Sequence, residues 1–424
     1  MSLNLETINI YIFKPEIPII LHSHPLLGNE KFLQYLAFGA IFDKEKARER
    51  YRIFSNYRRR WLVENSNLDW HKLDNGERVQ FISVLFNEII REFIGELPNA
   101  PLVMGLSSGL DSRLIYHALQ EAGVKTKTYT FGQVGNKDYD VSVVMSSKLG
   151  LPVGHVDTSE IEWSLGWYDK TMGLVNDTVF SPRYMASKVM LDKVGAHYDI
   201  HGYLNDVIIG KGFKGYIQND WDIALKEFKR KNDTFCLQSF LDKSLVASFL
   251  PTEPFTDHAQ IRYQHQLNLA FRQEQRIRPQ DHAGIRYLLP FNDWRWIGFW
   301  LSREDNELIN RSLYREFIAG LQSEIIFDIP DYEYEHAFNK KNTNERKILP
   351  RSPHMHFCMY SCYRNNPSFR RLVDTAVGRM KKRRLMRKRF IEKVMNRFLK
   401  KQRKASKHLL GIVSTDIAIE SGMF

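Results

Sequence analysis

Residues 102–119 read LVMGLSSGLDSRLIYHAL and predict the first strand–turn–helix unit of the fold. An apolar run at residues 102–104 leads into a cluster of glycine, serine and aspartate at residues 105–112. Apolar residues then recur three and four positions apart over residues 114–119, which is the spacing of an amphipathic helix. The turn between the two elements contains more polar side chains than a simple bend requires.

The same alternation of strand and helix continues after this unit. Residues 126–132 (TKTYTFG) predict a second strand, and residues 137–150 (KDYDVSVVMSSKLG) predict a helix that stops at its closing glycine. A strand at residues 153–159, a helix at residues 181–195 and a strand entering a glycine-containing loop at residues 197–213 follow. Strands that alternate with helices form parallel βαβ units, so we expect an α/β fold with a doubly wound parallel sheet.

Composition points to an ordinary globular protein. The chain has 424 residues, of which 43% are hydrophobic and 26% charged, enough for a large core. No apolar run approaches the roughly 18 residues that a membrane span needs, and the first residues lack the pattern of a secretory signal. Because three cysteines are too few for a disulfide framework, we expect a cytoplasmic protein.

The net charge of +12 is concentrated in one segment. Residues 379–407 contain 15 Lys and Arg and one acid, Glu392, so this segment carries +14 and the rest of the chain carries −2. An apolar stripe recurs at every fourth residue of the segment, at Met386, Phe390, Val394 and Phe398. The pattern is typical of a helix docked on the protein body with a solvated basic face.

The same pattern is also typical of a basic amphipathic helix attached to an anionic membrane surface, which would place the protein at the inner membrane face. Nucleic acid is the other polyanion that such a segment binds. We favour the membrane over nucleic acid because the stripe of residues 379–407 is apolar and contains few aromatic side chains that could stack on bases.

The turn at residues 105–112 has the chemistry of a phosphate site. Backbone N–H groups at a strand-to-helix turn and the N terminus of a helix attract anions. Gly109 lets the backbone approach an anion without a Cβ, and Ser107 and Ser112 add hydroxyl donors. Asp111 would repel a bare phosphate, so it indicates a bound cation, for which Mg²⁺ is the natural choice. An N-cap in a flexible turn also uses Ser and Asp, and the chain contains no Walker A sequence.

Residues 106–114 (LSSGLDSRL) resemble the S-G-G-x-D-S pyrophosphate loop of the N-type ATP pyrophosphatases, and most closely the synthetase domain of the asparagine synthetase family. One departure is Ser108, which stands where the family has its first glycine. Residues 199–213 (DIHGYLNDVIIGKGF) resemble the S-G-x-G-G-D-E-L-F-G-G segment of the family. In that segment Gly202 and Asp206 match, whereas Asn205 and Val207 depart.

Two weaker matches follow the same order along the chain, over about residues 95–350. The stretch KDYDVSVVMSSKLGLPVGHVD places Asp138 and His155 in family positions. The stretch RYLLPFNDWRWIGFWLS resembles R-x-P-F-L-D followed by a helix, with Arg286, Pro290, Phe291 and Asp293 in register. Each match is weak alone, and their common order gives the resemblance its strength.

The resemblance implies the adenine nucleotide alpha-hydrolase (HUP-like) form of the α/β fold with helical additions. It divides the chain into a small N-terminal region at residues 1–75, an ATP-pyrophosphatase domain at residues 76–375 and a basic amphipathic tail at residues 376–424. Glutamine-dependent relatives have a catalytic cysteine after the initiator methionine, but here this residue is Ser2. The N-terminal region is also too short for a glutaminase domain, so we do not expect glutamine hydrolysis.

The resemblance further implies an ATP- and Mg²⁺-dependent ligase that forms amide bonds. A small-molecule or peptide carboxylate would be adenylated with release of pyrophosphate, and ammonia or an amine would then displace AMP. ATP would contact Leu106, Ser107, Ser108, Gly109, Leu110, Asp111, Ser112, Thr130, Phe131, Gly132 and Gly202. Asp111 and Asp206 would ligate Mg²⁺. The lysine near the α-phosphate would be Lys340, Lys341 or Lys347.

Several alternatives remain open at the level of sequence. The nitrogen could come from free ammonia, from a separate protein or from an amine of the substrate itself. The last case resembles the β-lactam synthetases and lasso-peptide cyclases, which use the same adenylation site for ring closure. The departures at Ser108, Asn205 and Val207 fit a degenerate ATP-binding scaffold or sensor. The basic tail fits an ATP pyrophosphatase that modifies nucleic acid.

Overall fold

The structure is a computed structural model that describes residues 25–97, 101–134, 136–149, 153–163, 189–272, 281–282, 285–321, 358–401 and 403–424. Its strands are β1 (Leu102–Gly105), β2 (Lys127–Gly132), β3 (Val153–Asp157), β4 (Tyr198–Ile200), β5 (Asp281–His282) and β6 (Ile285–Leu288). They form one sheet in the order β3-β2-β1-β4-β6-β5. Five of these strands are parallel, and the two-residue β5 pairs antiparallel with β6 at the edge.

The helices before and between the strands are α1 (Glu30–Phe38), α2 (Lys44–Glu64), α3 (Asn75–Gly95), α4 (Leu110–Glu121), α5 (Lys137–Leu149), α6 (Asn205–Ile208), α7 (Trp221–Lys231), α8 (Lys243–Ser248) and α9 (Tyr263–Leu267). Those after the sheet are α10 (Trp294–Leu301), α11 (Asp305–Leu308), α12 (Ser312–Gly320), α13 (Met359–Asn365), α14 (Pro367–Arg383), α15 (Lys388–Leu399) and α16 (Arg403–Glu420). The strands and helices predicted between residues 102 and 159 are confirmed; the helix predicted at residues 181–195 lies mostly outside the described residues.

The chain leaves β1 toward β2 and β3 on one side and returns to β4 on the other side of β1. This reversal confirms the predicted doubly wound α/β sheet. In such sheets a crevice opens beyond the carboxyl ends of the strands where the order reverses, and ligands usually bind there. The crevice in this protein therefore lies between the turn after β1 and the loop after β4.

Both faces of the sheet are covered. Leu102 and Met104 face one hydrophobic cluster, whereas Val103 faces the other, because successive strand residues point to opposite faces. On the first face, α10 crosses α2 so closely that a Cβ on Gly298 would lie 2.6 Å from the carbonyl oxygen of Tyr57. The site at the sheet edge is thus built on a packed core.

The C-terminal helices α13 to α16 pack on the second face. The predicted apolar stripe is buried: Met386, Phe390, Val394 and Phe398 are at most 4% exposed. Phe398 packs edge-on against Tyr360 and Tyr363 of α13. The stripe is therefore covered by neighbouring helices, as expected for a helix docked on the body, and the basic side of α15 faces solvent. The predicted boundary between residues 375 and 376 falls inside α14.

The first and last described elements meet. Phe32 and Tyr35 of α1 contact the ring of Phe424 with centroid separations of 5.2 and 5.5 Å. Within the same helical layer, Arg379 and Arg383 of α14 pair with the buried Asp416 of α16. Across the described ranges, no helix is both long and apolar enough to cross a membrane.

Candidate active site

Two segments meet in the crevice between β1 and β4. The first is the turn at residues 106–112, which follows β1 and enters α4; the second is the loop at residues 202–206, which follows β4 and enters α6. A Cβ on Gly202 would lie 3.0 Å from the Cβ of Asp111 and 3.6 Å from the ring of Phe291. Because residue 202 has no side chain, the two segments can approach closely, and the predicted residues of both segments are brought together.

Asp111 is held by a chain of hydrogen bonds. Its Oδ1 accepts a bond of 2.7 Å from the Nδ2 of Asn205 and one of 2.8 Å from the hydroxyl of Tyr314. The Oδ1 of Asn205 in turn accepts a bond of 2.8 Å from the Nε1 of Trp296. Asn205, Trp296 and Tyr314 are fully buried, so they fix the orientation of the Asp111 carboxylate.

The environment of Asp111 disfavours the charged form of its carboxyl group. Burial of the carboxyl group raises its pKa to about 7, and the nearby charge of Asp206 acts in the same direction. The hydrogen bonds from Tyr314 and Asn205 lower the pKa and only partly offset this increase. The residue as a whole is half-buried, so part of Asp111 is accessible to solvent.

Asp206 is more exposed and already has cationic neighbours. The side chain is 43% exposed, and its Oδ2 lies 2.7 Å from the Nζ of Lys211. Its Oδ1 lies 3.9 Å from the Nη1 of Arg311. A cation that binds between Asp111 and Asp206 would compete with Lys211, and the lysine would have to move.

The donor set fits Mg²⁺. Asp111 and Asp206 are two carboxylates close enough to repel each other, and a divalent cation between them would remove this repulsion. Mg²⁺ commonly binds one or two carboxylates and takes its remaining ligands from water and substrate phosphates. The described residues contain no group of three or more His, Cys, Asp and Glu suited to a metal ion, so they provide no site of the structural zinc type, which uses four protein ligands.

The serines of the turn bond to each other. The hydroxyls of Ser107 and Ser112 lie 3.0 Å apart, and Ser112 Oγ also donates to the carbonyl of Gly109 over 3.0 Å. The backbone N–H of Gly109 donates to Ser107 Oγ over 3.2 Å. These bonds shape the turn, but an arriving phosphate would have to replace some of them.

Ser108, the departure from the family pattern, faces inward. Its N–H and its hydroxyl both donate to Oδ1 of Asp138, over 2.9 and 2.5 Å, and its carbonyl accepts a bond of 2.8 Å from Arg113. All three residues are buried. Ser108 therefore joins the turn to the start of α5, and in this arrangement neither of its donors points to a ligand.

The residues predicted to line the adenosine pocket lie at the same sheet edge, because β1 and β2 are parallel neighbours. Leu106 follows β1, and its N–H donates to the carbonyl of Tyr129 over 2.7 Å. Leu106 and Thr130 are only 1% and 3% exposed, whereas Phe131 is half-buried. The predicted Gly132 ends β2, and Leu110 begins α4. Lys340, Lys341 and Lys347 lie outside the described residues.

Leu204 has an unusual backbone for a leucine. It precedes α6 with φ of 76° and ψ of −31°, in a region where glycine is favoured because it has no Cβ. The family segment that residues 199–213 resemble carries the first of two adjacent glycines at this position. The backbone at Leu204 therefore has a glycine-type conformation, although leucine stands where the family segment has glycine.

An open cleft of about 800 Å³ adjoins the loop after β4. Its lining includes Leu204, Asp206, Lys211, Lys214 and Arg230. Ligand pockets of enzymes usually have volumes of about 300 to 1,000 Å³, so the cleft has room for a substrate beside Asp206. The basic side chains give it a preference for anions.

Sequence reasoning missed several residues of this site. Tyr314 bonds to Asp111 from 203 positions away, and Trp296 reaches the site through Asn205. No local pattern predicts such partners, because only the folded chain places them together. Lys211 could have been found, because it lies five residues after Asp206 in the same segment.

The chain matches no protein-family model, and no curated protein matches its sequence.

Proposed function

We propose that this protein is an AMP-forming, ATP-dependent ligase that joins a carboxylate to ammonia or an amine. The observation that carries the proposal is the contact between the two motif segments: a Cβ on Gly202 would lie 3.0 Å from the Cβ of Asp111, and Asn205, the neighbour of Asp206, donates to the Asp111 carboxylate over 2.7 Å. Two mutually repelling carboxylates beside a strand-to-helix turn suit a cation that accompanies pyrophosphate. The motifs that resemble the asparagine synthetase family fall on these same two segments and support the same proposal.

In the proposed reaction, a carboxylate oxygen of the substrate forms a bond to the α-phosphorus of ATP, and pyrophosphate leaves. The nitrogen of ammonia or an amine then attacks the acyl carbon, the bond to AMP breaks and the nitrogen loses a proton. Bound Mg²⁺ would neutralise charge on the leaving pyrophosphate. Asp111 and Asp206 would hold this ion, and the N terminus of α4 would orient the phosphates.

We also propose that the fold belongs to the adenine nucleotide alpha-hydrolase type. The strand order β3-β2-β1-β4-β6, with the phosphate turn directly after the central β1, supports this assignment. The glycine-type backbone at Leu204 supports it as well. The carboxylate substrate would occupy the cleft beside Asp206, where Lys214 and Arg230 would attract its charge.

The proposed place of action is the cytoplasm. Cys236, Cys358 and Cys362 are free thiols, as is usual in a reducing compartment. Burial raises the pKa of the Cys362 thiol to about 12, which keeps it protonated and unreactive.

The test is to incubate the full chain with ATP, Mg²⁺ and a metabolite extract and to identify consumed and formed compounds by mass spectrometry. We expect AMP and pyrophosphate in equal amounts and a carboxylate-dependent exchange of labelled pyrophosphate into ATP. Asp111→Ala should lower AMP formation by at least about 100-fold, which corresponds to a few kcal/mol of lost charge stabilisation. Asp222→Ala, at an exposed position of α7, is the matched control and should leave the rate unchanged.

Formation of ADP instead of AMP would contradict the proposal. So would equal activity of Asp111→Ala and the wild-type chain.

The second candidate is a nucleotide-binding scaffold or sensor without ligase activity. The bonds of Ser108 to Asp138 favour it, because they withdraw both donors of this residue from a phosphate. The ion pair of Lys211 with Asp206 also favours the scaffold or sensor, because it occupies one of the two carboxylates proposed to bind the metal. Tight binding of ATP and Mg²⁺ without AMP formation in the presence of the extract would favour this candidate.

A further inference from the structure

The C-terminal helices present a surface of uncompensated positive charge, which we call the basic face. It consists of Lys382, Arg384, Arg387, Lys388, Arg389, Lys393, Arg397 and Lys400. All are exposed except Lys393, which is half-buried. Among the residues that the structure describes, none of the eight forms an ion pair, so the basic face lacks internal neutralisation.

Other basic residues of the same segment are neutralised. Arg379 and Arg383 pair with Asp416 and Glu420 of α16. Lys381 lies 3.9 Å from Glu392. Asp416, Glu420 and Glu392 are therefore already engaged by other bases, and the charge of the basic face is left for an outside partner.

The basic face is long and one-sided. Arg389, Lys393, Arg397 and Lys400 recur every three or four residues of α15, so they lie on one side of the helix. With a rise of 1.5 Å per residue, this row is about 17 Å long. Such a row fits an extended anionic surface better than a single small anion.

The structure also limits how this face can bind. Phe390, Val394 and Phe398 are buried against other helices, so α15 cannot insert them into a lipid bilayer without unfolding its core. Leu399 is the large apolar side chain of α15 that is exposed, at 49%. Attachment through this face must therefore be mainly electrostatic.

We propose that the basic face docks the protein on an anionic membrane surface by electrostatic attraction, without insertion of α15. Each Lys or Arg near such a surface contributes about 1 kcal/mol, so eight residues are ample even when salt screens them. Single-stranded nucleic acid is bound largely by stacking on aromatic side chains. The aromatic residues of α15, Phe390 and Phe398, are buried, which favours the membrane. The proposal does not depend on the ligase activity.

The test uses the full chain and vesicles of phosphatidylcholine, either pure or with 30% phosphatidylglycerol. We expect sedimentation with the anionic vesicles at 0.1 M salt, little with the neutral vesicles and release at 1 M salt, where the screening length falls to about 3 Å. The fourfold variant Arg389→Glu, Lys393→Glu, Arg397→Glu, Lys400→Glu should bind at least about tenfold more weakly.

A matched control changes net charge equally at other exposed lysines: Lys125→Glu, Lys127→Glu, Lys226→Glu, Lys243→Glu. It should bind the anionic vesicles more tightly than the fourfold basic-face variant, and circular dichroism should show both variants folded. Equal loss in the two variants would overturn the proposal, because net charge alone would then explain binding. Retention on vesicles at 1 M salt would overturn it by indicating insertion. Binding of duplex DNA or RNA at 0.15 M salt, without a preference for anionic over neutral vesicles, would assign the face to nucleic acid instead.

Discussion

Gly202 and Asp111 lie in direct contact although 90 residues separate them in the sequence: a Cβ on Gly202 would come within 3.0 Å of the Asp111 Cβ. The loop after β4 therefore determines where the acid of the turn after β1 can lie. A Cβ at position 202 would require Asp111 to give way by a few tenths of an ångström.

The first prediction follows from this contact. Gly202→Ala should lower AMP formation about threefold or more, because the added Cβ requires Asp111 to shift by a few tenths of an ångström and a misplacement of about 1 Å at an active site costs about 100-fold. The measurement is the rate of AMP release with saturating ATP and Mg²⁺. Gly378→Ala, on α14 and away from the cleft, is the control, since a Cβ there meets no atom within 4 Å. Equal rates for both variants would show that the position of Asp111 does not affect the rate of AMP release.

The second prediction concerns pH. Burial raises the pKa of Asp111 to about 7 from an ordinary value of 3.8. The folded state therefore holds a proton that the unfolded chain releases, and this contribution to stability is lost as the pH rises from about 4 to about 7. The free energy of unfolding of the wild-type chain, relative to that of Asp111→Asn, should fall across this window.

The slope should not exceed about 1.4 kcal/mol per pH unit, the limit for one proton. Urea unfolding of both proteins at pH 5, 6, 7 and 8 measures it. A difference that stays constant from pH 5 to pH 7 would contradict the assigned pKa.

The third prediction concerns Tyr314. Its hydroxyl bonds to the charged form of Asp111 and lowers the pKa of that carboxyl. Tyr314→Phe should therefore shift the acid limb of the pH–rate profile of AMP formation to higher pH. The variant should also lower the free energy of unfolding by about 1 to 3 kcal/mol. Tyr363→Phe removes a hydroxyl bond to the exposed Asp374, and as the control it should leave the pH–rate profile unchanged.

The fourth prediction concerns the buried amide of Asn205. Asn205→Ala would leave the indole N–H of Trp296 without its acceptor and would remove a donor to Asp111. We expect a loss of about 1 to 3 kcal/mol in the free energy of unfolding, measured with urea. Asn219→Ala, at an exposed position, should change this free energy by less than about 0.5 kcal/mol. Equal stability of the two variants would show that the network contributes little.

Local sequence patterns predicted the elements that position the site. The run at residues 102–104 and the periodicity at residues 114–119 predicted β1 and α4, because strand and helix patterns depend on residues close in sequence. The alternation of elements then predicted a parallel sheet, and the position of Asp111 at its edge followed from that topology.

The remaining features depend on which elements pack together, and periodicity does not encode this. The stripe of α15 predicted a helix with an apolar side but not whether protein or lipid would cover it. Tyr314 has no motif that links it to Asp111. Ser108 departs from the glycine of the phosphate-turn pattern, and the turn alone does not explain it. Its backbone N–H donates to Asp138, which lies 30 residues away on α5.

The contact of α1 with Phe424 has a consequence for biosynthesis. Residues 32–38 of α1 are all buried in the finished protein, and 386 positions separate Phe38 from Phe424. At about 5 to 20 residues per second, the ribosome would need roughly 20 to 80 s to supply this partner. Until then Phe32 and Tyr35 would lack the ring of Phe424, so we expect α1 to be a target for chaperones during translation.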